Sequence, residues 1–215
     1  MLEVERGLLA GRPPRYVQLA TAAAPEGEQS LARWHRLGQE QAQRLDVEVV
    51  QLPVVDAESA NDPSLAAAVA GAGLIYLSGG NPTYLAEVMR GSAVWQAIVD
   101  AWRDGAALAG CSAGAIAMTD WVPSMRHPRR GTVPGLSLVP HLRVIPHFDK
   151  MLGWVPDIVT RALFHAPDGT TVLGIDEDTA LVGGPHAWTV HGRQGVHVLG
   201  GGPAAVLHAG EELAT

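Results

Sequence analysis

Short apolar runs rich in valine, isoleucine and leucine recur along the first two thirds of the chain, with helix-like patterns between them. This alternation is typical of βαβ units and predicts a largely parallel sheet covered by helices. Two segments have amphipathic helical patterns, and in the second of them Ile98, Val99 and Trp102 are expected to face inward. These helices are Gln29–Leu45 and Val94–Asp104. The predicted strands are Tyr16–Ala20, Val47–Leu52, Leu74–Leu77, Ala106–Ala109 and Leu142–Ile145.

The pattern changes after about Thr171, where shorter strand-like runs are separated by turns. The segment Gly192–Gly195 predicts a hairpin loop, and the antiparallel strands of this region are expected to extend or cap the main sheet. They are Val172–Ile175, Ala180–Val182, Trp188–His191, Val196–Leu199 and Ala205–His208. No linker or repeat interrupts the pattern, so the sequence predicts one α/β domain over residues 1–215.

Composition excludes several classes of partner. The net charge is −7, with 22 acidic residues against 15 basic ones, which argues against nucleic acid because phosphate binding needs a basic face. The longest apolar stretch, Ala66–Leu77, is interrupted by glycines and falls well short of the roughly 20 residues that span a bilayer. The single cysteine, Cys111, excludes an internal disulfide and a cysteine-based zinc cluster. With no export signal near the first residues, a cytoplasmic location is expected.

The strongest local signal for chemistry is a serine between two glycines, directly after a predicted strand and before a helical stretch that runs from Ala113 to Thr119. A nucleophile elbow needs this context, because glycines permit a sharp turn that lifts the Ser112 hydroxyl clear of the backbone at a helix N-terminus. The alternative is a tight strand-to-helix turn with a capping serine. The motif reads Gly110-Cys111-Ser112-Ala113-Gly114.

A second glycine loop follows the predicted strand Leu74–Leu77. Asn81 is suited to cap the helix after it, and Pro82 is suited to the first helical position. A backbone N–H of Gly79 or Gly80, together with that of Ala113, is suited to form an oxyanion hole, which contributes about 3 kcal/mol per donor in acyl transfer. The alternative is a helix start that needs glycine for its geometry alone.

A serine nucleophile needs a base, and nine histidines are present. His147 directly follows Ile145-Pro146, at the C-terminal edge of a predicted strand, where α/β active sites gather. The segment Asp176-Glu177-Asp178 follows another strand in the same way, so one of its acids is expected at that edge to orient the imidazole. An exposed histidine and a solvated acidic turn are the alternatives.

Four ordered motifs together resemble the family of peptidase E and cyanophycinase, serine peptidases with a fold similar to class I glutamine amidotransferases. The resemblance extends from the strand at Tyr16 onward and implies a three-layer α/β sandwich of flavodoxin-like type, with a mostly parallel central sheet and antiparallel strands at its C-terminal end. The motifs are the Gly-Gly-Asn loop, Gly110-Cys111-Ser112-Ala113-Gly114-Ala115, Pro146-His147-Phe148 and Gly174-Ile175-Asp176-Glu177-Asp178-Thr179-Ala180.

The resemblance implies Ser112 as nucleophile, His147 as general base, and the Gly80 and Ala113 amides as oxyanion hole. Peptidase E places its acid between the serine and the histidine, where this chain has His127. The cyanophycinase-like branch uses the glutamate of its Asp-Glu segment, which matches Glu177. The triad expected from the resemblance is therefore Ser112, His147 and Glu177.

Substrate contacts are expected from Gly79 and Asn81 in the glycine loop and from Arg161, whose guanidinium is suited to a substrate carboxylate. Arg126, Arg129 and Arg130 are further candidates for that pairing. The motif positions differ from those of cyanophycinase around the loop and before the histidine, so cyanophycin is not the expected substrate, and specificity for N-terminal aspartate is unsupported.

The sequence thus predicts a serine peptidase that hydrolyses small peptides, dipeptidase-like, through an acyl-enzyme and without a metal or organic cofactor. One alternative is a thiol enzyme of the amidotransferase type using Cys111, although serine holds the centre of the elbow here. The other is a catalytically inactive amidotransferase-like protein that binds a small ligand. The sequence is silent on oligomeric state and allows a homodimer.

Overall fold

The computed structural model describes residues 1–123, 132–151 and 168–215. The chain divides into two compact units. The N-terminal unit comprises Leu2–Ala117 and Val122–Leu136, and the C-terminal unit comprises Met118–Trp121 and Ser137–Thr215 together with Met1. The single domain expected over residues 1–215 stays a prediction.

A four-stranded parallel sheet forms the centre of the N-terminal unit, with the strand order β2-β1-β3-β4. All four strands were predicted, each to within one residue at either end. Both ends of Leu74–Leu77 were predicted correctly, because glycine-containing segments flank the apolar run, with Gly73 before it and Ser78-Gly79 after it. The strands are β1 Arg15–Leu19, β2 Glu48–Leu52, β3 Leu74–Leu77 and β4 Ala107–Gly110.

Both faces of this sheet are covered. Tyr16 of β1 pairs with Leu74 of β3, and the next residues along, Val17 and Ile75, pair in the same register. All four side chains are buried. Because successive residues of a strand point to opposite faces, burial of both sets means that apolar packing lies on each side. The mostly parallel central sheet of an α/β fold is confirmed.

Helices of the N-terminal unit supply this packing. Leu9 and Leu45, each at the end of a helix, join the core with Tyr16 and Leu74. In the helix predicted from Val94, Ile98 is fully buried as expected, but the inward orientation of Trp102 was wrong. Trp102 lies in the last turn and is 39% exposed. The helices are α1 Leu2–Leu9, α2 Glu28–Leu45, α3 Pro63–Ala67, α4 Pro82–Met89, α5 Ala93–Arg103 and α6 Ala113–Ala117.

The remaining elements of the N-terminal unit are short. Two 3-10 helices, Thr21–Glu26 and Ser59–Asn61, connect strands to helices. The strands β5 Val122–Pro123 and β6 Thr132–Val133 pair antiparallel and pack beside α4 and α6. Within the described parts of the chain, every helix is too short or too polar to cross a bilayer.

The C-terminal unit has two sheets. In the first, of order β12-β11-β8-β7, β7 and β8 are parallel and the other pairs are antiparallel. The second is antiparallel, with the order β13-β10-β9. The elements are β7 Leu142–Pro146, α7 Phe148–Met151, β8 Thr171–Ile175, β9 Thr179–Gly183, β10 Ala187–Gly192, β11 Val196–Gly200, β12 Ala205–Leu207 and β13 Glu212–Ala214.

The hairpin predicted at Gly192–Gly195 was wrong. The strands on either side of it pair in different sheets, so the segment is a crossing between sheets. Its amides bond to the acidic turn after β8 instead of across a hairpin. The Gly195 N–H donates to the Asp176 carboxylate, the Gln194 N–H to the Thr179 hydroxyl, and the Arg193 N–H to the Asp178 carbonyl. These contacts hold the crossing against that turn.

Candidate active site

Ser112 lies at a sharp turn between β4 and α6 in the N-terminal unit. Its φ of 50° is in the left-handed region, which non-glycine residues rarely adopt. The flanking glycines are required by packing. A Cβ at Gly114 would lie 2.2 Å from the carbonyl oxygen of Leu77, and one at Gly110 would lie 2.7 Å from the carbonyl carbon of Gly114. The strand, turn and helix therefore give Ser112 the backbone of a nucleophile elbow.

The glycine loop between β3 and α4 is equally tight. Gly80 has a φ of 136°, and a Cβ there would lie 2.3 Å from the Ala22 carbonyl oxygen. The Asn81 N–H donates to that same oxygen over 2.7 Å, and the Asn81 side chain caps α4 by accepting from the Tyr84 N–H. Asn81 thus shapes the loop with its backbone N–H and its side-chain oxygen, and Gly79 and Gly80 have no side chains of their own.

Cys111 lies beside Ser112 but has a different environment. Burial raises the pKa of its thiol, and hydrogen bonds involving the Tyr76 side chain and the Gly79 backbone offset this only in part. A thiol with a raised pKa is a weak nucleophile at neutral pH, because the thiolate is the reactive form. The environment of Cys111 therefore argues against the thiol-enzyme alternative and suits a structural contact to the glycine loop.

His147 and Glu177 meet in the C-terminal unit. The strands β7 and β8 run parallel with Pro146 opposite Ile175, so the residues just beyond both strands emerge at the same sheet edge. The distance from His147 Nδ1 to Glu177 Oε1 is 2.8 Å. The side chains are 48% and 43% exposed respectively, and His147 has a φ of 57°. A carboxylate placed at Nδ1 fixes the ring orientation and stabilises the imidazolium form.

The three consecutive acids after β8 have three different environments. Glu177 contacts His147, whereas Asp176, whose side chain is 10% exposed, accepts from the Gly195 N–H and lies 3.0 Å from His197 Nε2. Asp178 occupies the turn itself, with a φ of 53°. The strand pattern left these acids equivalent and only the resemblance pointed to Glu177, which is the acid that contacts His147 in the structure.

Asp149 is a further contributor that the sequence did not indicate. Its Oδ1 accepts from the Glu177 N–H over 3.0 Å, and this hydrogen bond is the main cause of the lowered pKa of Asp149. The carboxylate thus holds the backbone of the acid that orients His147. Its position two residues after His147, in the first turn of α7, was the only available signal.

The predicted site residues are divided between the two units, and some lie outside the described residues. Gly79, Gly80, Asn81, Ser112 and Ala113 lie in the N-terminal unit, and His147 and Glu177 lie in the C-terminal unit. Arg161 lies outside the described residues, as do Arg126, His127, Arg129 and Arg130. Among residues 1–123, 132–151 and 168–215, no cluster of three or more His, Cys, Asp or Glu side chains is arranged to hold a metal ion.

Comparison with known proteins identifies the family of the chain. Peptidase family S51 matches residues 27–187. The solved structure of a peptidase from an acI-B1 Actinobacterium is 40% identical, with a TM-score of 0.92 over 100% of this chain and 91% of that one. A protein assigned as a peptidase E from Listeria monocytogenes EGD-e is 15% identical and shares the fold, with a TM-score of 0.67 over 90% of this chain and 94% of that one. No curated protein matches the sequence. The chain belongs to Peptidase family S51 and is a serine-type peptidase.

Proposed function

We propose that this serine peptidase hydrolyses the peptide bonds of small peptides with Ser112 as nucleophile, His147 as general base and Glu177 as the acid that orients the base. The observation that carries the proposal is the 2.8 Å hydrogen bond between His147 Nδ1 and Glu177 Oε1. A histidine oriented through Nδ1 exchanges protons through Nε2, as a general base must. The elbow backbone at Ser112 and the order of the sequence motifs support the assignment of Ser112 to the same triad as His147 and Glu177.

In the proposed reaction, His147 Nε2 accepts the Ser112 hydroxyl proton as Oγ attacks the carbonyl carbon of the scissile bond. The C–N bond then breaks, and the imidazolium gives its proton to the leaving amine. A water molecule, deprotonated by His147, attacks the resulting ester, which releases the carboxylic acid product and restores Ser112. Glu177 stays ionised throughout and stabilises the imidazolium.

The negative charge of the tetrahedral intermediate is assigned to the backbone N–H groups of Gly80 and Ala113. The hydrogen bond between the Gly79 backbone and Cys111 favours Gly80 over Gly79 for this role. Each well-placed donor of an oxyanion hole contributes about 3 kcal/mol to transition-state stabilisation. Gly79 and Asn81 would then border the substrate near the scissile carbonyl, and Arg161 would pair with the carboxylate of a short peptide.

The test is intact-mass analysis after incubation with a fluorophosphonate, followed by a screen of dipeptides. Wild type should gain a single adduct, and Ser112→Ala should gain none. Ser137→Ala is the matched control, because Ser137 is an exposed serine that shares the left-handed backbone, with a φ of 55°, but lies outside the elbow. It should be labelled at the wild-type rate.

Other results would separate the alternatives. An adduct that persists in Ser112→Ala would remove Ser112 from the nucleophile position. No adduct on wild type, combined with saturable binding of dipeptides, would favour the inactive binding protein. Labelling without cleavage of any dipeptide would retain the nucleophile and overturn the small-peptide substrate.

A further inference from the structure

The indole of Trp34 packs directly on the glycine loop beside the nucleophile. Trp34 lies in α2 and is half-buried. A Cβ at Gly79 would lie 2.7 Å from Trp34 Cζ2 and 3.0 Å from Cη2, and the same point is 3.4 Å from the Ser112 Cβ. The indole edge and the Ser112 side chain therefore lie on the same side of Gly79, and the indole leaves no room for a methyl group there. Any side chain at residue 79 would displace the ring.

A buried amide network anchors the helix that carries this ring. The Gln18 side chain, which is buried, donates from Nε2 to the Trp34 carbonyl over 2.8 Å and to the Ser78 hydroxyl over 3.1 Å. The Gln51 amide donates to Gln18 Oε1 over 3.1 Å. Gly38 allows this approach, since a Cβ there would lie 2.1 Å from Gln18 Oε1. One side chain thus ties the backbone of Trp34 to the residue before the glycine loop.

The residues three and four positions from Trp34 on α2 are uncharged. Residues three and four positions away are the helical neighbours of a side chain, and at Trp34 these are Ser30, Leu31, Leu37 and Gly38. None of these carries the guanidinium or ammonium group that would recognise an acidic substrate side chain, nor the carboxylate that would recognise a basic one. An indole flanked by leucines instead favours contact with an apolar or aromatic group.

We infer that Trp34 is a specificity-determining residue that binds an apolar or aromatic side chain of the substrate residue next to the scissile bond. The inference rests on the proposed function, because it needs Ser112 to be the nucleophile. The fixed position of the ring against Gly79 makes it a wall of the space that a group bonded to Ser112 Oγ must enter. The peptides cleaved best are therefore those with leucine or phenylalanine at this position, and aspartate is disfavoured.

The test compares two sulfonyl fluorides that differ in the group brought beside Ser112. In both, Oγ displaces fluoride from sulfur, and fluoride and a proton are released. Phenylmethylsulfonyl fluoride presents a ring to the Trp34 wall, whereas methanesulfonyl fluoride presents a methyl group. In wild type the second-order rate constant for the phenyl reagent should exceed that for the methyl reagent. Trp34→Ala should lower this ratio about tenfold, since one aromatic contact is lost.

Three further variants make the result specific. Trp34→Phe should restore most of the ratio because it keeps an aromatic wall. Trp102→Ala should leave the ratio unchanged, since Trp102 is exposed on α5. If Trp34→Ala fails to fold, Trp34→Leu replaces it, because leucine fills more of the volume left by the indole than alanine does. Trp34→Leu should lower the ratio of the two rate constants about threefold. The ratio of kcat/KM for leucine and aspartate p-nitroanilides should fall in the same variants.

The outcomes distinguish the inference from the proposal beneath it. Reaction of neither reagent with Ser112 in wild type would overturn the proposed function. Reaction of both, with the same ratio in wild type and in the folded Trp34 variants, would leave Ser112 as nucleophile and overturn the role of Trp34. A higher kcat/KM for the aspartate substrate than for the leucine substrate in wild type would overturn the proposed substrate class.

Discussion

Replacing Glu177 with glutamine exchanges one oxygen of the His147 pair for an amide nitrogen and keeps the side-chain size. The glutamate accepts from Nδ1 over 2.8 Å, which leaves Nε2 as the nitrogen that takes a proton. A glutamine can instead donate to Nδ1, and this favours the tautomer that carries its proton on Nε2 and cannot act as the base. The imidazolium formed during the reaction also loses its counter-charge.

The magnitude follows from the exposure of the pair. Removing the negative charge from a buried orienting aspartate lowers kcat by about 10⁴-fold in serine proteases. Here the His147 and Glu177 side chains are 48% and 43% exposed, so water can solvate part of the imidazolium charge. We therefore expect kcat to fall by about 10² to 10³-fold in Glu177→Gln, which corresponds to about 3 to 4 kcal/mol of transition-state stabilisation.

The assay is steady-state hydrolysis of a dipeptide or p-nitroanilide together with the rate of fluorophosphonate labelling. Both rates should fall by a similar factor, with KM changed little, because the lost interaction acts on proton transfer and not on substrate binding. Glu212→Gln is the matched control, an exposed glutamate on β13 of the same unit. A Glu177→Gln variant with kcat within threefold of wild type would refute the assignment of Glu177 as the orienting acid.

Three further predictions concern packing at the elbow, a buried acid in α1 and the contact between Asp149 and Glu177. Gly114→Ala places a Cβ 2.2 Å from a β3 carbonyl oxygen and should lower the free energy of unfolding, measured in urea, by about 1 to 3 kcal/mol. Gly7→Ala is the comparison, because Gly7 lies within α1 and a Cβ there meets nothing within 4 Å. It should raise the free energy of unfolding by about 0.5 to 1 kcal/mol. Equal effects of the two would contradict the packing argument. Burial raises the pKa of Glu5, so the ionised carboxylate destabilises the fold at neutral pH, and stability increases again as the group is protonated at lower pH. Glu5→Gln should therefore raise Tm at pH 8, and this gain should disappear at low pH. An unchanged Tm at pH 8 would contradict the destabilising role of the Glu5 charge. Asp149→Ala should lower kcat roughly tenfold by loosening the Glu177 backbone. Because the pKa of Asp149 is lowered, its stabilising contribution is present at neutral pH and lost as pH falls through that lowered value, so the Tm difference from wild type should vanish in acid.

The parts of the fold that local pattern determines were predictable. The strand Leu74–Leu77 is a fully apolar run between glycine signals, and α2 has a long 3.6-residue period, so both were located from sequence. Helix α1 was missed because eight residues are too short a run to show a clear 3.6-residue period, although the acids in its first turn favour a helix start. Its packing is tertiary, since Leu9 becomes buried only by contact with the core that includes Leu45.

The candidate site divides in the same way. Ser112 and His147 follow strands, so their places at sheet edges could be predicted from the strand pattern alone. The choice among Asp176, Glu177 and Asp178 could not be made from that pattern. It depends on the register of β7 and β8 and on the contacts of the Asp176 carboxylate with the Gly195 N–H and His197 Nε2. The hairpin prediction was wrong for the same reason, since the amides that a hairpin would pair donate to the Asp178 carbonyl, the Thr179 hydroxyl and the Asp176 carboxylate.

The contact of Trp34 with Gly79 lay beyond sequence reasoning for a different reason. The two residues are far apart along the chain, and neither belongs to a recognisable motif with the other. Their approach depends on Gln18, a buried polar residue in β1. The strand pattern predicts that Gln18 lies in a strand but not which groups its side chain contacts. Tertiary hydrogen bonds of this kind leave no periodic signal.

The most direct test of Ser112 as nucleophile is rapid mixing of the enzyme with a p-nitrophenyl ester of an apolar amino acid, followed by acid quenching and peptide mapping. If Ser112 is the nucleophile, the enzyme should release a burst of one p-nitrophenol per molecule and carry an acyl group on Ser112, and Ser112→Ala should show neither burst nor turnover. An acyl group on Cys111, or full turnover in Ser112→Ala, would contradict this assignment.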